Sequence, residues 1–550
     1  VGDLPLAPGH YEDRADQVDL RTLLPRREPV TPAVTTVVLS GMGGVGKTQI
    51  AGAYARAAAE QHPPVDLRIW ATATTADSIR ATYARAAAKL GLTTPTTDPD
   101  EAAHLLLEWL SATTRTWLVI LDDLTTPDHA DGLWPPRTPT GRTLVTTRYR
   151  GADLNLAGHH TAHLEPFTPE QARHHLTTEL AHHPHPCTHD DIDALTTDLG
   201  HLPLALGHAT AYLHDQAITI QDYRHRLHNT PITHHPTNTR LAPIHTTLAL
   251  SIPLAEHLAP GAATALLNIA SLLDPNTIPD TVLTNHHIAE HLTTTPDRLH
   301  HGLRVLHRLN LLTHDPTTTT VRIHALVQRV VRETTTMTRA ADPDGGTATL
   351  GRLAADALAE IWPEADTLTD IGTVLRANTT ALAGHAEHHL FHPDTHPVLF
   401  RAGGSLGEQG LIAAARQHFH RLHEQTEAAH GPDHPDTLAT RHNLARWRGE
   451  AGDSAGAVAA FEGLLTDALR VLGPGHPGTL ATRHNLARWR GEAGDPAGAV
   501  AAYEGLLTDR LRVQGPDHPD TFATRHNLAR WRGEAGDSAG AVAAFEGLLT

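Results

Sequence analysis

The chain has 550 residues, 40% of them hydrophobic and 19% charged, with a formal net charge of −18. That length holds several domains, each with its own core, and that charge argues against a dedicated nucleic-acid surface. The single Cys187 excludes an intramolecular disulfide and fits a reducing, cytoplasmic setting; acids and prolines near the N-terminus replace the apolar run of a signal peptide.

Residues 1–30 read as a lead-in. From 31 to 155 strands and helices alternate, the pattern of a parallel α/β sheet. The first strand, Thr35 to Ser40, runs into Gly41-Met42-Gly43-Gly44-Val45-Gly46-Lys47-Thr48. A helix then spans Thr48 to Ala59, with Ile50, Tyr54 and Ala58 on one face. A second strand fits Leu67 to Ala71. The third, Trp117 to Leu121, is apolar throughout, as a strand covered on both faces should be, and ends in Asp122-Asp123. A fourth fits Thr143 to Thr147, followed by Arg148.

From 156 to 235 the signals are helical, beginning with the capping box Thr168-Pro169-Glu170-Gln171 and turning at Gly200 and Pro203. A linker fits 226–242. The segment 236–335 combines helices with a hairpin-like pair, Leu311 to Thr313 and Val321 to Ile323, around Asp315-Pro316, which suggests a winged helix. The most apolar stretch, Leu258 to Leu273, contains Pro260, Gly261 and Asn268 and falls short of the roughly 20 residues of a membrane span. A helical linker fits 336–395.

The last third, 396–550, repeats itself. Arg441-His442-Asn443-Leu444-Ala445-Arg446-Trp447-Arg448-Gly449-Glu450-Ala451-Gly452-Asp453 recurs from Arg483 and from Arg525 with a period of 42 residues. In each unit one helix, from about Thr437 to Ala451, ends at Gly452, and Asp453 (Asp495 before Pro496 in the next copy) caps a second. That second helix carries Val458, Phe461, Leu465, Ala468 and Leu472 on one stripe. Two amphipathic helices per unit must stack on their neighbours, giving an α-solenoid. Because the chain stops at Thr550 inside such a helix, it reads as part of a longer array. The predicted architecture is multidomain: a P-loop-type α/β sheet, a helical domain, a winged-helix domain and a helical solenoid.

The glycine string satisfies GxxxxGK[ST]. Lys47 and Lys89 are the only lysines among 43 basic side chains, and a compact ammonium fits between phosphates where a guanidinium does not. Lys89 lies in an Ala-rich helix and reads as a surface residue. A glycine turn between strand and helix aims backbone amides at a phosphate. The expected nucleotide contacts are Gly41, Gly43, Gly44, Val45, Gly46, Lys47, Thr48 and Gln49, with Lys47 reaching the β- and γ-phosphates. Thr48 and Asp122 are the expected Mg²⁺ ligands. Lys47 and Asp123 are the expected catalytic pair, Asp123 orienting the attacking water, and Arg148 is placed to sense the γ-phosphate. The 45 histidines include the run His182 to His189, which its two prolines mark as a biased loop rather than a metal site.

In order and content these strings resemble the NB-ARC division of the STAND signal-transduction ATPases. GMGGVGKTQIA is similar to that family's P-loop, WLVILDDL to its kinase-2 strand and GRTLVTTR to its sensor strand. Gly200-His201-Leu202-Pro203-Leu204-Ala205 resembles the GLPLA signature, with His201 in place of Leu, and Ile323-His324-Ala325-Leu326-Val327 stands at the MHD position, with Ala325 in place of Asp. The resemblance implies ATP or ADP with Mg²⁺, Pro203 beside the base and His324 on the ADP β-phosphate. The repeats resemble the tetratricopeptide units of kinesin light chains and bacterial NB-ARC proteins. There Asn443, Asn485 and Asn527 would line a groove and bond the backbone of an extended peptide, the competing reading being a hydrogen bond within the helix packing.

The leading expectation is a nucleotide-dependent switch with a protein or peptide partner on the solenoid, an ATP-dependent homo-oligomer and slow hydrolysis as its reset. A transcriptional regulator using the winged helix and a passive ADP-bound scaffold are the alternatives.

Overall fold

The computed structural model describes the chain except residues 3, 8–10, 13, 15–16, 25–34, 61–63, 94–96, 150–158, 230–241, 340–345, 365–369 and 550. Most of the expected linker at 226–242 therefore lies outside the described residues. The chain divides into two compact units, residues 1–387 and 388–550.

The first unit is built on a parallel sheet of five strands: β1 (Thr36–Gly41), β2 (Leu67–Thr72), β3 (Trp117–Leu124), β4 (Gly141–Thr147) and β5 (His160–Leu164), in the order β2-β3-β4-β1-β5. Every residue of β1 and β4 is buried, which explains their apolar and threonine-rich runs. Ile79, Tyr83, Leu106 and Leu110 of helices Ala76–Lys89 and Pro99–Ala112 pack on Val119 and Leu121 of β3. Each such side chain removed from water contributes about 1.5–3 kcal/mol. Helix Lys47–Glu60 buries Ile50, Tyr54 and Ala58, the face its periodicity predicts, and Lys89 is exposed.

The fifth strand was not legible in the sequence. It lies at the sheet edge against β1, is only partly buried and begins at His160, so it lacks the apolar run that marks the buried strands.

Helices Pro169–Glu179, His189–Asp198, Pro203–Gln216 and Ile220–Asn229 follow. The Thr168–Gln171 capping box is present in both directions. In the run His182–His189, His183 and His185 bond the carbonyls of Leu213 and Ala217. Beyond residue 241, helices Ala242–Leu258, Ala263–Ala270 and Pro296–Arg308 carry a small antiparallel sheet of β6 (Ile278–Pro279), β7 (Thr313–Asp315) and β8 (Thr320–Arg322), ordered β6-β8-β7. The hairpin differs from its expected form. Leu311 and Leu312 are core residues before the strand, while the turn follows Asp315 as expected, over Pro316–Thr319, where Asp315 Oδ1 accepts the amides of Thr317 and Thr318. Among the described residues, no helix is long and apolar enough to cross a membrane.

The second unit stacks helix pairs: Pro397–Glu408 with Ile412–His430, Pro435–Glu450 with Ser454–Val471, Pro477–Glu492 with Pro496–Val513, and Pro519–Glu534 with Ser538–Leu549. Gly452 ends its helix at φ 92°, and Asp453 takes the Gly456 amide at 2.8 Å. The stripe of the second helix is rotated slightly from expectation. Ala457, Phe461, Leu464 and Ala468 are fully buried, while Val458, Leu465 and Leu472 flank them.

Neighbouring units interlock through tryptophan and glycine. A Cβ on Gly407, Gly449 or Gly491 would lie 1.9, 2.5 and 2.5 Å from the indole of Trp447, Trp489 and Trp531 respectively. Arg446, Arg488 and Arg530 each lie over the indole that follows them, 4.5–4.8 Å from its centre. The notch is therefore a repeat-to-repeat joint. Gly449→Ala is expected to destabilise the solenoid by about 1–3 kcal/mol through overpacking, read as a lower melting temperature of the helical signal; an unchanged melt would show the indole free to move.

Candidate functional site

The loop after β1 turns back at Gly44 and Gly46, whose φ values of 82° and 98° suit glycine alone. Lys47 is buried, and its Nζ donates to the carbonyls of Gly41 at 2.9 Å and Met42 at 3.0 Å. Residues 43–49 line a cleft of about 980 Å³, within the usual range for a small-molecule site. Gly41 does not line it. A Cβ there would meet the Leu164 carbonyl of β5 at 2.5 Å, so Gly41 serves strand approach rather than phosphate contact.

At the end of β3, Asp122 Oδ1 accepts the hydroxyls of Thr48 at 2.9 Å and Thr146 at 2.6 Å. Burial pushes the Asp122 pKa up to about 6 against the opposing pull of those two hydrogen bonds, with Asp123 adding to the rise and Lys47 opposing it. Next to it the β3–β4 register shifts, and Asp123 adopts φ 57°. Left-handed backbone at an aspartate with a bulge beside it re-aims a side chain at a functional edge. Asp123 N–H donates to Thr146 Oγ1 at 2.8 Å, and its Oδ2 takes Arg148 at 3.2 Å. Thr146 thus holds both aspartates. Sequence reasoning missed it, because nothing in TLVTT separates it from its neighbouring threonines.

Three further elements close the cleft. Pro203 begins its helix, and the next amide, Leu204 N–H, reaches the Gly44 carbonyl at 3.3 Å. His201, where the resemblance expects Leu, has φ 53°, a conformation histidine tolerates better than leucine. His324 ends the segment after β8, and its Nδ1 accepts the Leu326 amide at 3.1 Å, leaving the ring proton on Nε2. Solvent reaches the ring, yet protein surrounds it in the cleft. That enclosure, with the cations Arg148 and Lys47, depresses its pKa to about 4. Asp274, also in the cleft wall, is held near pKa 6 chiefly by burial.

Arg14, in the segment read only as a lead-in, is buried. Its guanidinium donates to Val45 O at 2.5 Å and to the carbonyls of Glu165 and Pro166, and lies 5.0 Å from the centre of the Phe167 ring. It braces the back of the glycine loop. A lone arginine among acids gave no periodic or motif signal that could have found it.

In the solenoid, Asn443, Asn485 and Asn527 each donate Nδ2 to the carbonyl four residues earlier, at 3.0, 3.3 and 2.9 Å, and Asn485 Nδ2 also meets His442 Nε2 at 3.0 Å. The carbonyl partner fixes the amide orientation, so Oδ1 is the atom turned away from its own helix.

The donor set fits a nucleotide phosphate chain with its cation. The glycine loop and its lysine line the cleft, and a hydroxyl paired with a carboxylate is the hard oxygen set that Mg²⁺ takes. A glycine loop closed by a lysine, opposite a strand-borne aspartate pair, defines a P-loop site. Residues 21–183 match the NB-ARC domain family, and 395–466 and 479–520 match tetratricopeptide repeats. Residues 255–340 match a domain of unknown function. The chain thus carries an NB-ARC domain followed by C-terminal tetratricopeptide repeats.

A nucleotide-binding leucine-rich repeat (NLR)-like protein of the fungus Hyaloscypha variabilis is 28% identical over 203 residues, which is 34% of this chain and 20% of that protein. The chain therefore covers about a fifth of the length of that curated relative. The crystal structure of a Signal Transduction ATPase with Numerous Domains carrying a tetratricopeptide repeat sensor, from Pyrococcus horikoshii, shares the fold. Its TM-score is 0.51 at 12% identity, covering 99% of this chain and 77% of that one.

Proposed function

We propose that this chain is a nucleotide-gated signalling switch whose core binds ADP or ATP with Mg²⁺ and whose solenoid takes a protein or peptide partner. The observation that carries it is the convergence on one cleft of Lys47, Asp122, Asp123, Arg148, Pro203 and His324, which come from five separate parts of the chain. Walls drawn from different subdomains make the cleft's contents a determinant of their arrangement, the requirement for a switch.

The amides of Gly44, Val45, Gly46, Lys47 and Thr48 would hold the β-phosphate, and Lys47 would exchange its two carbonyl partners for phosphate oxygens. Thr48 and Asp122 would hold Mg²⁺, which when bound neutralises charge on the phosphate oxygens. Asp123, turned outward by the bulge and paired with Arg148, is the group placed to orient a water. Arg148 then reports the terminal phosphate by choosing between it and Asp123. Neutral at pH 7, His324 offers its Nε2–H as a phosphate donor. Pro203 would pack near the base. In the solenoid, Oδ1 of Asn443, Asn485 and Asn527 would accept backbone amides of an extended peptide. Slow hydrolysis resets the state, and the triphosphate form assembles into a homo-oligomer.

The DNA-binding reading gains nothing from the helix Pro296–Arg308, since Arg308 is turned to Asp215 at 2.6 Å. The direct test is nucleotide affinity of the purified chain. Losing charge-assisted contacts to two phosphates costs about 3 kcal/mol, so Lys47→Ala is expected to bind ATP and ADP roughly 100-fold more weakly. Unchanged affinity overturns the reading. Turnover that persists in Asp123→Asn would remove that residue's role.

A further inference from the structure

Each solenoid unit opens a helix with a His-Pro pair whose ring Nδ1 accepts the amide two residues on: His396 from Val398, His434 from Asp436, His476 from Gly478 and His518 from Asp520. Among the described residues, His434 alone of these four belongs to a three-residue group of metal-ligand type, with His430 and Asp436. One ligand atom from each lies within 4.8 Å of the others. The rings of His430 and His434 stack at 4.4 Å and 23°, and Asp436 Oδ2 stands 3.6 Å from His434 Nδ1.

The repeat supplies its own control. Moving 42 residues along, His434 recurs as His476 and His518, whereas His430 becomes Leu472 and then Gln514. Helix capping therefore explains His434 and leaves His430 without a structural reason. Moreover, His430 Nε2 is buried with no hydrogen-bond partner, a position that destabilises the fold unless something satisfies it.

We propose that His430, His434 and Asp436 form a binding site for a divalent ion of the Zn²⁺ class that pins the turn between helices Ile412–His430 and Pro435–Glu450. Two imidazoles and a carboxylate are donors suited to Zn²⁺, and unlike the all-oxygen sets of Mg²⁺ and Ca²⁺. The 3.6 Å separation of Nδ1 and Oδ2 is close to the roughly 3.3 Å between two ligands of a tetrahedral ion with bonds of about 2.0 Å. His434 binds through Nδ1, trading its amide partner for the ion. Its Nε2–H then faces Asp394 Oδ1, 3.6 Å away, a carboxylate placed to hold the ring. Water, or His392 with its ring centre 5.8 Å from that of His430, completes the shell.

The test is calorimetric titration of the EDTA-stripped full chain with ZnCl₂. His430→Leu copies Leu472 of the next unit, and Asp436→Asn keeps a side-chain oxygen for the Thr395 amide that Asp436 Oδ2 accepts at 2.9 Å while removing the anionic ligand. Each is expected to lose one bound equivalent or weaken it at least about 100-fold, with the helical circular dichroism and EDTA melting curve unchanged. The exposed group His286, His287 and Glu360 is common to all samples and cancels in the difference. Co²⁺ in place of Zn²⁺ should give visible bands that both variants lack. Wild-type stoichiometry and affinity in His430→Leu, or no Zn²⁺ bound by the parent chain, would overturn the site.

Discussion

Asp122→Asn is expected to make the ligand-free chain more stable at pH 7.5 while removing the Mg²⁺-dependent part of its nucleotide affinity. The carboxyl is 6% exposed, and burial raises its pKa to about 6 from an ordinary 3.8. A raised carboxyl pKa means the folded state holds the proton more tightly than the unfolded one. Below about pH 4 both states are protonated and the residue contributes nothing. As pH rises from about 4 to 6 the folded state loses stability, and above that the ionised carboxylate stays destabilising by about 3 kcal/mol. Asn keeps an Oδ1 to accept the Thr48 and Thr146 hydroxyls and carries no charge to bury.

In EDTA, the variant should therefore melt several degrees above the parent at pH 7.5, with the gap closing towards pH 4.5. With ATP and Mg²⁺ the ranking should reverse. A ligand at about 1,000 times its Kd stabilises by about 4.1 kcal/mol, more than the roughly 3 kcal/mol that burying the carboxylate costs, and the variant forgoes that gain because its amide is a poor substitute for an anionic oxygen on a divalent ion. Paired thermal melts at two pH values, with and without Mg·ATP, check both halves. A gap independent of pH would mean that Asp122 is not destabilised by burial.

The same residue shows what the sequence could and could not disclose. That an aspartate ends β3 is visible, because eight consecutive letters of WLVILDDL pass from buried strand to acid. That it shares Thr146 with Asp123 is not, since the partner lies on another strand and the bulge that turns Asp123 outward has no letter of its own. Burial on both faces makes β1, β3 and β4 legible, whereas β5 is a partly buried edge strand and leaves no such trace. The paired helices of the solenoid were readable because repetition lets one unit annotate the next. Even so, the stripe slipped, since Ala457 is less conspicuous than Val458 and two adjacent leucines, Leu464 and Leu465, do not tell which of them faces inward. Arg14 acts through carbonyls brought to it by tertiary structure, a kind of contact no local pattern encodes.

Arg308→Ala is expected to loosen the wall of the cleft without touching the glycine loop. Asp215 ends the helix that Pro203 begins, and its side chain is 5% exposed. It takes Arg308 Nε at 2.6 Å and Gln216 Nε2 at 2.8 Å. Arg308, at the end of the winged-helix segment's Pro296–Arg308 helix, thus neutralises a carboxylate buried in the neighbouring helical subdomain, and both residues line the cleft. Removing one partner of a fully buried pair costs about 3–5 kcal/mol, and the half-exposed arginine lets water recover some of that, so about 2–3 kcal/mol is expected here. The loss should appear as faster amide exchange confined to Pro203–Gln216 and Pro296–Arg308, with strand β1 unchanged. Asp215→Asn in the Arg308→Ala background removes the stranded charge and should restore most of the protection. Because the pair joins two walls of one cleft, its rupture should also narrow the difference between ATP and ADP affinity. Exchange that is unaltered in both helices, or a double variant no better protected than the single, would show that this ion pair does not hold the subdomains together.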